Sequence, residues 1–425
     1  MKVAIIGAGF GGLAAGYKLA KQGAGVTIFE SESYPGGLAV GFKDKKWKWS
    51  LERHYHHWFS NDESVLNLAN EIGYEVLTVR PKTSTFYNGN TYQLDSPLSL
   101  LTFSELSFTD RIRTGTVLAY LKFSNNWKKF EKFTAKEYLI KFMGQKSWEV
   151  LWQPLFEKKF GQFADEISAS WFWARIKKRT PSLSYPKSGF ADFAWAMDKE
   201  IRKYHGKIFY KTRVEKIVKH EDKLLVKIGR NFYKFDKVIC TLPSPLFVKL
   251  VDGLPENYLK NMVNLKGIGA INLVLSLNKQ FLEDGTYWLN INAAHFPFLA
   301  IVEHTNFMDK KHYNNEHMVY IGNYLPHEHP YFKKEAVDLI REFQPYLSTI
   351  NPKFDKKWIN SAYLFKAPFA QPIIPTNYLE KVPAFETPIK DLYLCNIQQV
   401  YPWDRGTNYA VELGQKVADL ILRER

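Results

Sequence analysis

Gly7-Ala-Gly9-Phe-Gly-Gly12 sets three glycines at G-x-G-x-x-G spacing, and a bound pyrophosphate would need glycine at each of them. Gly7 permits a tight strand-to-helix turn, Gly9 lets backbone N–H groups close on the phosphates, and Gly12 lets helix and strand pack closely. Eighteen residues after Gly12 stands Glu30. A carboxylate there accepts hydrogen bonds from both ribose hydroxyls of an adenosine half and disfavours a 2′-phosphate, which argues against NADP. Further on, Glu52-Arg53-His54-Tyr55-His56-His57-Trp58 gathers three imidazoles. They lack the acidic or Cys partner at ligand spacing that a metal site requires, so no metal is expected. Imidazole and phenol can instead orient a substrate, donate hydrogen bonds or move a proton.

A glycine turn carries meaning only inside the right elements. Val3-Ala-Ile-Ile6 is a continuous apolar run, as in a parallel strand buried on both faces. Leu13 to Ala20 has helical periodicity, and its N-terminus would turn free N–H groups and a positive dipole end toward the phosphates. A second apolar strand, Val26-Thr-Ile-Phe29, ends on Glu30. Strand, turn, helix, strand and acid stand in register, and together they predict nucleotide binding.

The next residues narrow the nucleotide. Ser31-Glu-Ser-Tyr-Pro-Gly36-Gly37-Leu38 places a glycine pair six residues past the acid. This resembles the extended signature of FAD flavoproteins such as amine oxidases, protoporphyrinogen oxidase, phytoene desaturases and UDP-galactopyranose mutase. The resemblance implies FAD, with backbone at Gly36, Gly37 and Leu38 close to the phosphates and ribityl chain. Leu38 stands where many amine oxidases have Arg. Lys207 to Val218 looks like the family's returning strands, which would put Val214 on the adenine edge. Lys237-Val-Ile-Cys-Thr-Leu-Pro243 is similar to its strand near the cofactor. Asp391 to Gln399, then Arg405-Gly406-Thr-Asn408-Tyr409 opening a helix to about Leu422, resembles its closing flavin segment. There Gly406, Asn408 and Tyr409 would meet the flavin. The fold implied is α/β, a Rossmann-like FAD-binding domain of the two-dinucleotide-binding-domain class with an interleaved α+β substrate domain. The first would comprise residues 1–80, 186–250 and 385–425, the second 81–185 and 251–384.

By the same resemblance His54, Tyr55 and His56 lie beside the flavin, while His57 and Trp58 pack elsewhere. The strand Ile268 to Leu277 brings Asn272 to a place where many amine oxidases carry lysine, and Lys266 would reach it only with a register shift of six residues. This departure speaks against oxygen-dependent amine oxidation, and no cysteine is placed for a covalent flavin link. Trp152 to Gly161 and Ile167 to Ile176 resemble walls of the substrate cleft in protoporphyrinogen-oxidase-like enzymes. Arg175, Lys177, Lys178 and Arg179 would meet an anionic substrate there, a sugar nucleotide or a polyprenyl phosphate, or else lie as surface charge. The function implied is an FAD-dependent oxidoreductase that moves hydride from a small-molecule substrate to flavin N5. A mutase-like isomerase acting on a sugar nucleotide without net redox is the alternative.

Bulk composition sets outer bounds. The chain has 425 residues, enough for two domains, and no apolar run approaches a membrane span. Met1 and Lys2 run straight into a strand, so no signal peptide is expected, and Cys240 and Cys395 sit in apolar strand-like runs that suit a reducing cytoplasm. The net charge of +15 comes from lysine spread along the chain, so no nucleic-acid partner is expected. One stretch, Arg111 to Met143, interleaves Lys122, Lys128 and Lys129 with Tyr120, Phe123 and Trp127. It reads either as a helix with one buried and one solvated basic face or as a peripheral contact with the inner membrane surface.

Overall fold

The computed structural model describes residues 1–424. Short apolar runs, buried on both faces, build its central layer. The strands Lys207–Phe209, Gly25–Phe29, Lys2–Ile6, Lys237–Cys240 and Leu392–Leu394 lie side by side in that order as one parallel sheet. Val3, Ala4 and Ile5 in its middle strand have no exposed surface. The helix Phe10–Lys21 follows that strand and packs on Phe190–Lys203 and on the closing helix Thr407–Arg423. A Cβ added at Gly414 would lie 2.2 Å from the Gly11 carbonyl oxygen, so the first and last helices touch backbone to backbone. The termini of the chain therefore close on one another at the glycine turn.

A larger sheet stands beside this layer. Its order is Ile359–Pro372, Gly267–Leu277, His317–Leu325, Ala300–Glu303, Thr286–Ile291, Lys82–Tyr87, Asn90–Gln93. Pairing is antiparallel except between Thr286–Ile291 and Lys82–Tyr87. Gly267–Leu277 has sheet neighbours on both sides and is buried along almost all its length, as its unbroken apolar pattern predicts. The two sheets alternate along the chain. A three-stranded sheet joins Trp58–Phe59 and Val76–Val79 to Leu183–Pro186, a strand that straddles the boundary expected at residues 185 and 186. The fold is α/β and Rossmann-like.

Helices Phe108–Phe123, Ala135–Met143 and Ala169–Lys178 pack on one another. The first two start where capping residues dictate: the Ser107 hydroxyl accepts from the Asp110 N–H, and Thr134 and Glu137 form a capping box. Within Arg111 to Met143 the exposed face of the longer helix proves apolar as well as basic. Phe108, Ile112 and Phe123 lie on it, 70%, 45% and 81% exposed. No helix among the described residues is long and apolar enough to cross a membrane. Cys240 and Cys395 are buried free thiols, pushed up to about 12 by burial and so unreactive.

Candidate functional site

Two glycine turns meet at the C-terminal end of the parallel sheet. Gly7 adopts φ +106°, and a Cβ there would stand 2.5 Å from the Thr241 hydroxyl oxygen. A Cβ on Gly12 would lie 2.1 Å from the Gly7 carbonyl oxygen, which is the close helix–strand approach expected of the third glycine. Gly36 and Gly37 adopt φ +120° and +57°, and the Gly36 N–H donates to the Ala8 carbonyl at 2.9 Å. The two turns press together, since a Cβ on Gly37 would stand 3.0 Å from the Gly9 Cα. Gly9 itself is open: a Cβ there meets nothing nearer than 3.7 Å. The result is a side-chain-free cradle facing the first turn of Phe10–Lys21, where helical N–H groups lack intrahelical acceptors. These features fit a dinucleotide pyrophosphate.

Glu30 ends its strand beside the cradle. Its carboxylate accepts from the Ala8 N–H at 2.7 Å, the Glu32 N–H at 2.9 Å and the Ser31 hydroxyl at 3.2 Å. Four lone-pair directions leave capacity for a ribose hydroxyl beside those three. The Glu30 carbonyl accepts from the Thr212 N–H at 2.8 Å, which brings the buried Val214 alongside. Among the described residues Val214 makes no backbone hydrogen bond of its own, so its edge is free for an adenine.

Beyond the glycine pair the chain enters a cavity. Leu38, His54, Tyr55, His56, Ala270, Asn272, Tyr324, Ala370 and Arg405 line it. The Asn272 amide nitrogen lies 2.6 Å from His54 Nδ1. An amide N–H donates, so Nδ1 accepts and the imidazole proton sits on Nε2. The carbonyl oxygen of Asn272 is buried with no donor, an orphaned acceptor in the cavity wall. Asn272 pairs across the sheet with Gly322. A Cβ on Gly322 would come within 2.5 Å of the Tyr55 ring and 2.7 Å of that oxygen, so only glycine admits both side chains. His56 Nδ1 donates to the His54 carbonyl at 2.6 Å. Tyr55 packs edge-on to Trp288 at 4.8 Å.

Burial governs the charge here. It lowers His54 to about 3 and His56 to about 4, and it raises the Tyr55 hydroxyl well above its ordinary value. Both imidazoles are neutral at physiological pH, and the phenol keeps its proton. An imidazole titration between pH 5 and 8, natural for a free histidine, is therefore displaced to lower pH. His57 and Trp58 do pack elsewhere: His57 Nδ1 lies 3.1 Å from the Tyr287 hydroxyl, and Trp58 Nε1 donates to Thr407 Oγ1 at 2.6 Å.

The closing segment behaves in two ways. Gly406 is extended backbone at the start of Thr407–Arg423, which leaves the first-turn N–H groups at Asn408 and Tyr409 without intrahelical acceptors. The side chains of those two residues turn away from the cavity. Asn408 Oδ1 accepts from the Val65 N–H at 3.1 Å, and the Tyr409 ring stacks on Trp403 beside a separate groove that includes Phe385 and Lys416. Lys266 also points elsewhere, 4.9 Å from the centre of the Phe163 ring.

Arg405, Tyr324 and Gly322 were not singled out by the sequence reading. Arg405 had a local signal, an Asp-Arg pair abutting Gly406, whereas nothing near Tyr324 or Gly322 marks them. The sequence also favours Arg53 less than the structure does. Its guanidinium lies 4.9 Å from the Tyr34 ring centre and its Nε is buried without an acceptor.

Comparison with known proteins agrees with this geometry. The profile of flavin containing amine oxidoreductases matches residues 10–422. The zeta-carotene desaturase of Capsicum annuum is 33% identical over 132 residues, covering 28% of this chain and 22% of that protein. The probable UDP-galactopyranose mutase of Klebsiella pneumoniae is 25% identical over 234 residues, 54% of this chain and 56% of that protein. The matched stretch thus spans a fifth to about half of these relatives. Among solved structures, the Exiguobacterium sp. 255-15 protein provisionally named a protoporphyrinogen oxidase superposes with a TM-score of 0.79 at 16% identity, covering 100% of this chain and 99% of that one. Cyclohexylamine oxidase of Brevibacterium oxydans IH-35A does so at 0.76 and 14%, over 100% and 99%. At such identities these structures establish a shared fold. The chain belongs to the flavin containing amine oxidoreductase family.

Proposed function

We propose that the chain binds a small-molecule substrate in the cavity walled by His54, Tyr55, His56 and Asn272 and presents one of its C–H bonds for hydride removal. FAD, when bound, supplies the hydride acceptor, N5. One observation carries this reading. The segment that follows the glycine pair and the central strand of the large sheet meet at the 2.6 Å contact of His54 with Asn272, in a cavity that also takes in Leu38.

The residues divide the work. Gly7, Gly9, Gly12, Gly36 and Gly37 would hold the pyrophosphate, Glu30 the ribose, and the backbone of Val214 the adenine. The N–H groups at Gly406, Asn408 and Tyr409 would face the pyrimidine ring, where a helix N-terminus favours negative charge. Residues 1–80, 186–250 and 385–425 thereby form the cofactor unit, and 81–185 with 251–384 the substrate unit. In the cavity, neutral His54 donates through Nε2–H and un-ionised Tyr55 donates through its hydroxyl. Both orient a polar substrate atom while Leu38, Ala270 and Ala370 exclude water.

Anaerobic stopped-flow mixing of the FAD-loaded protein with candidate reductants tests the reading. Bleaching of the flavin by substrate is the expected result. Turnover that begins only after pre-reduction by dithionite, with no substrate able to bleach the flavin, overturns it in favour of an isomerase.

The exposed stripe of Phe108, Ile112 and Phe123, with Arg113 and Lys129 nearby in the chain, suits a peripheral contact with acidic lipid headgroups. Sedimentation with phosphatidylglycerol vesicles, reduced in a Phe108→Ser/Phe123→Ser variant, is the corresponding check.

A further inference from the structure

At the Tyr324 and Arg405 end of the cavity three cations converge from three parts of the chain. Lys159 comes from the helix Gln153–Phe160, Arg175 from Ala169–Lys178, and Arg405 from the segment before the last helix. One carboxylate, Asp404, stands among them. Its Oδ2 accepts from Arg175 Nη1 at 2.5 Å and its Oδ1 from Trp171 Nε1 at 2.8 Å. Arg405 donates through Nε to Gln371 at 2.9 Å and through Nη2 to the Tyr324 hydroxyl. Lys159 Nζ has no hydrogen-bond acceptor among the described residues. It lies 4.9 Å from the Tyr324 ring centre and 5.3 Å from that of Trp171, where the ring faces attract a cation.

The charges do not balance. Burial opposes ionisation of Asp404, yet Lys159, Arg175 and Arg405 hold its carboxyl well below the usual range. Burial likewise drives the Lys159 ammonium well below its ordinary value, against the pull of the Asp404 carboxylate. Three basic groups around a single acid leave donors without an anion, which a further anion would satisfy. Donors remain for it: an ammonium has three and each guanidinium five, of which Arg405 commits two and Arg175 one to the contacts named. Arg175 and Arg405 against Asp404 leave an excess of one positive charge, and Lys159, protonating as an anion arrives beside it, makes that two. A carboxylate brings one; a phosphoryl group brings about two and offers three acceptor oxygens to Arg forks and a Lys point charge.

We propose that Lys159, Arg175 and Arg405 form a subsite for the phosphoryl group of a phosphate or diphosphate ester, whose remaining part extends past Tyr324 into the His54–Asn272 cavity. This rests on reading that cavity as the place of reaction. The subsite is separate from the glycine cradle, since none of its three basic residues lies on a cradle segment, and it joins the cavity through Tyr324 and Arg405, which line it. It also sorts the basic run on Ala169–Lys178. Arg175 faces the cluster, while Lys178 covers the Trp403 ring at 5.0 Å and the Lys177 carbonyl receives Lys122.

The test uses FAD-loaded protein, with inorganic phosphate and inorganic pyrophosphate as separate probes in isothermal titration calorimetry and in flavin difference spectra. Pyrophosphate binding that weakens at least tenfold in Lys159→Met and in Arg175→Gln, with FAD content unchanged, is the expected result. Stronger binding of phosphate than of pyrophosphate assigns a monoester, and the reverse a diphosphate. Lys159→Met should also raise the melting temperature of the protein without probe, because it replaces a desolvated amine that has no acceptor with an apolar side chain. A merely structural lysine would lower it. Pyrophosphate affinity that is the same in wild type and Lys159→Met overturns the subsite. Intact pyrophosphate binding in a protein whose flavin no substrate bleaches would sink the hydride-transfer reading and leave the subsite standing.

Discussion

The glycine cradle and the histidine loop of the cavity wall lie within twenty residues of each other in the chain, yet cradle and wall are made of different material. The cradle is backbone: Gly7, Gly9 and Gly12 in one turn, Gly36 and Gly37 in another, with a helix end between. The wall is side chains, brought by residues 54–56, 270–272, 324, 370 and 405 from separate elements. A site of backbone tolerates no substitution at its contact points and little change of spacing. A site of side chains depends on the sheet register that delivers them, such as Asn272 opposite Gly322. The two regions should therefore fail differently: the cradle through geometry, the wall through chemistry.

The largest effect should come from Gly12→Ala. The new Cβ would lie 2.1 Å from the Gly7 carbonyl oxygen, so helix or strand must move. A loss of about 3 kcal/mol or more of stability is expected, read as a fall in melting temperature and in soluble yield. Gly9→Ala makes the contrast sharp. Its Cβ meets only the Gly37 Cα at 3.7 Å, an ordinary contact, so the protein should fold and melt normally but emerge from purification depleted in FAD. Equal stability loss in both variants would erase the distinction drawn between the third glycine and the second.

Glu52 underlies the wall, just before His54, and supplies the next effect. It is fully enclosed, accepting from the Tyr185 hydroxyl at 2.9 Å and the Phe190 N–H at 3.0 Å, and desolvation raises its carboxyl to about 7. The group is neutral in both states below its unfolded value near 4.5. As pH rises toward 7 and beyond, the unfolded chain ionises first, so the stability Glu52 provides is lost. The shift corresponds to about 3 kcal/mol. Glu52→Gln keeps an acceptor and cannot ionise, so its deficit relative to wild type at pH 5 should shrink or reverse at pH 8. The buried histidines act oppositely, losing stability as pH falls below 6.5, but they are common to both proteins and cancel in the difference.

These two regions also mark how far the sequence could be read. The cradle was legible because glycine at fixed spacing, flanked by an apolar strand and ending at Glu30, has few alternative explanations. That His54 to His56 and Asn272 meet in one cavity was partly legible, because an unbroken apolar run announces the central strand that carries Asn272. Lys159, Tyr324 and Gly322 carried no such mark. A lysine in a helix reads as solvated surface until Trp171 and Tyr324 are seen on either side of it. Asn408 and Tyr409 show the converse. Their position was legible, but the turn of their side chains toward Val65 and Trp403 depends on helix packing that no local pattern encodes. The neutrality of His54 and His56 was equally out of reach, since it follows from enclosure by distant segments.

Glu30→Ala tests the cradle by chemistry instead of shape. The ribose would lose a charged acceptor worth about 1.5 to 3 kcal/mol, a tenfold to hundredfold weaker FAD affinity on reconstituting the apoprotein. The Ala8 and Glu32 N–H groups would lose their acceptor at the same time. Glu30→Gln retains one oxygen for them and should fall between wild type and Ala. If Ala and Gln bind FAD as tightly as wild type, the carboxylate serves only to tie the loop.

The smallest effect concerns His54 and Asn272, and it decides whether the wall acts as a unit. Their contact at 2.6 Å joins an amide donor to a neutral imidazole, a pairing whose net worth is about 1 kcal/mol. His54→Ala and Asn272→Ala should each leave FAD content near wild type, because cofactor affinity rests on the cradle, and each should change the rate of flavin reduction. In a double-mutant cycle on that rate the two losses should fail to add by about 1 kcal/mol, since removing either partner already frees the other. With His54 held near 3, this coupling should stay constant from pH 5 to 8 and weaken only as the pH approaches 4, where a protonated Nδ1 could no longer accept from the amide. Strictly additive losses, or a rate that titrates near pH 6.5 in wild type and not in His54→Ala, would mean that His54 works exposed and charged, apart from Asn272.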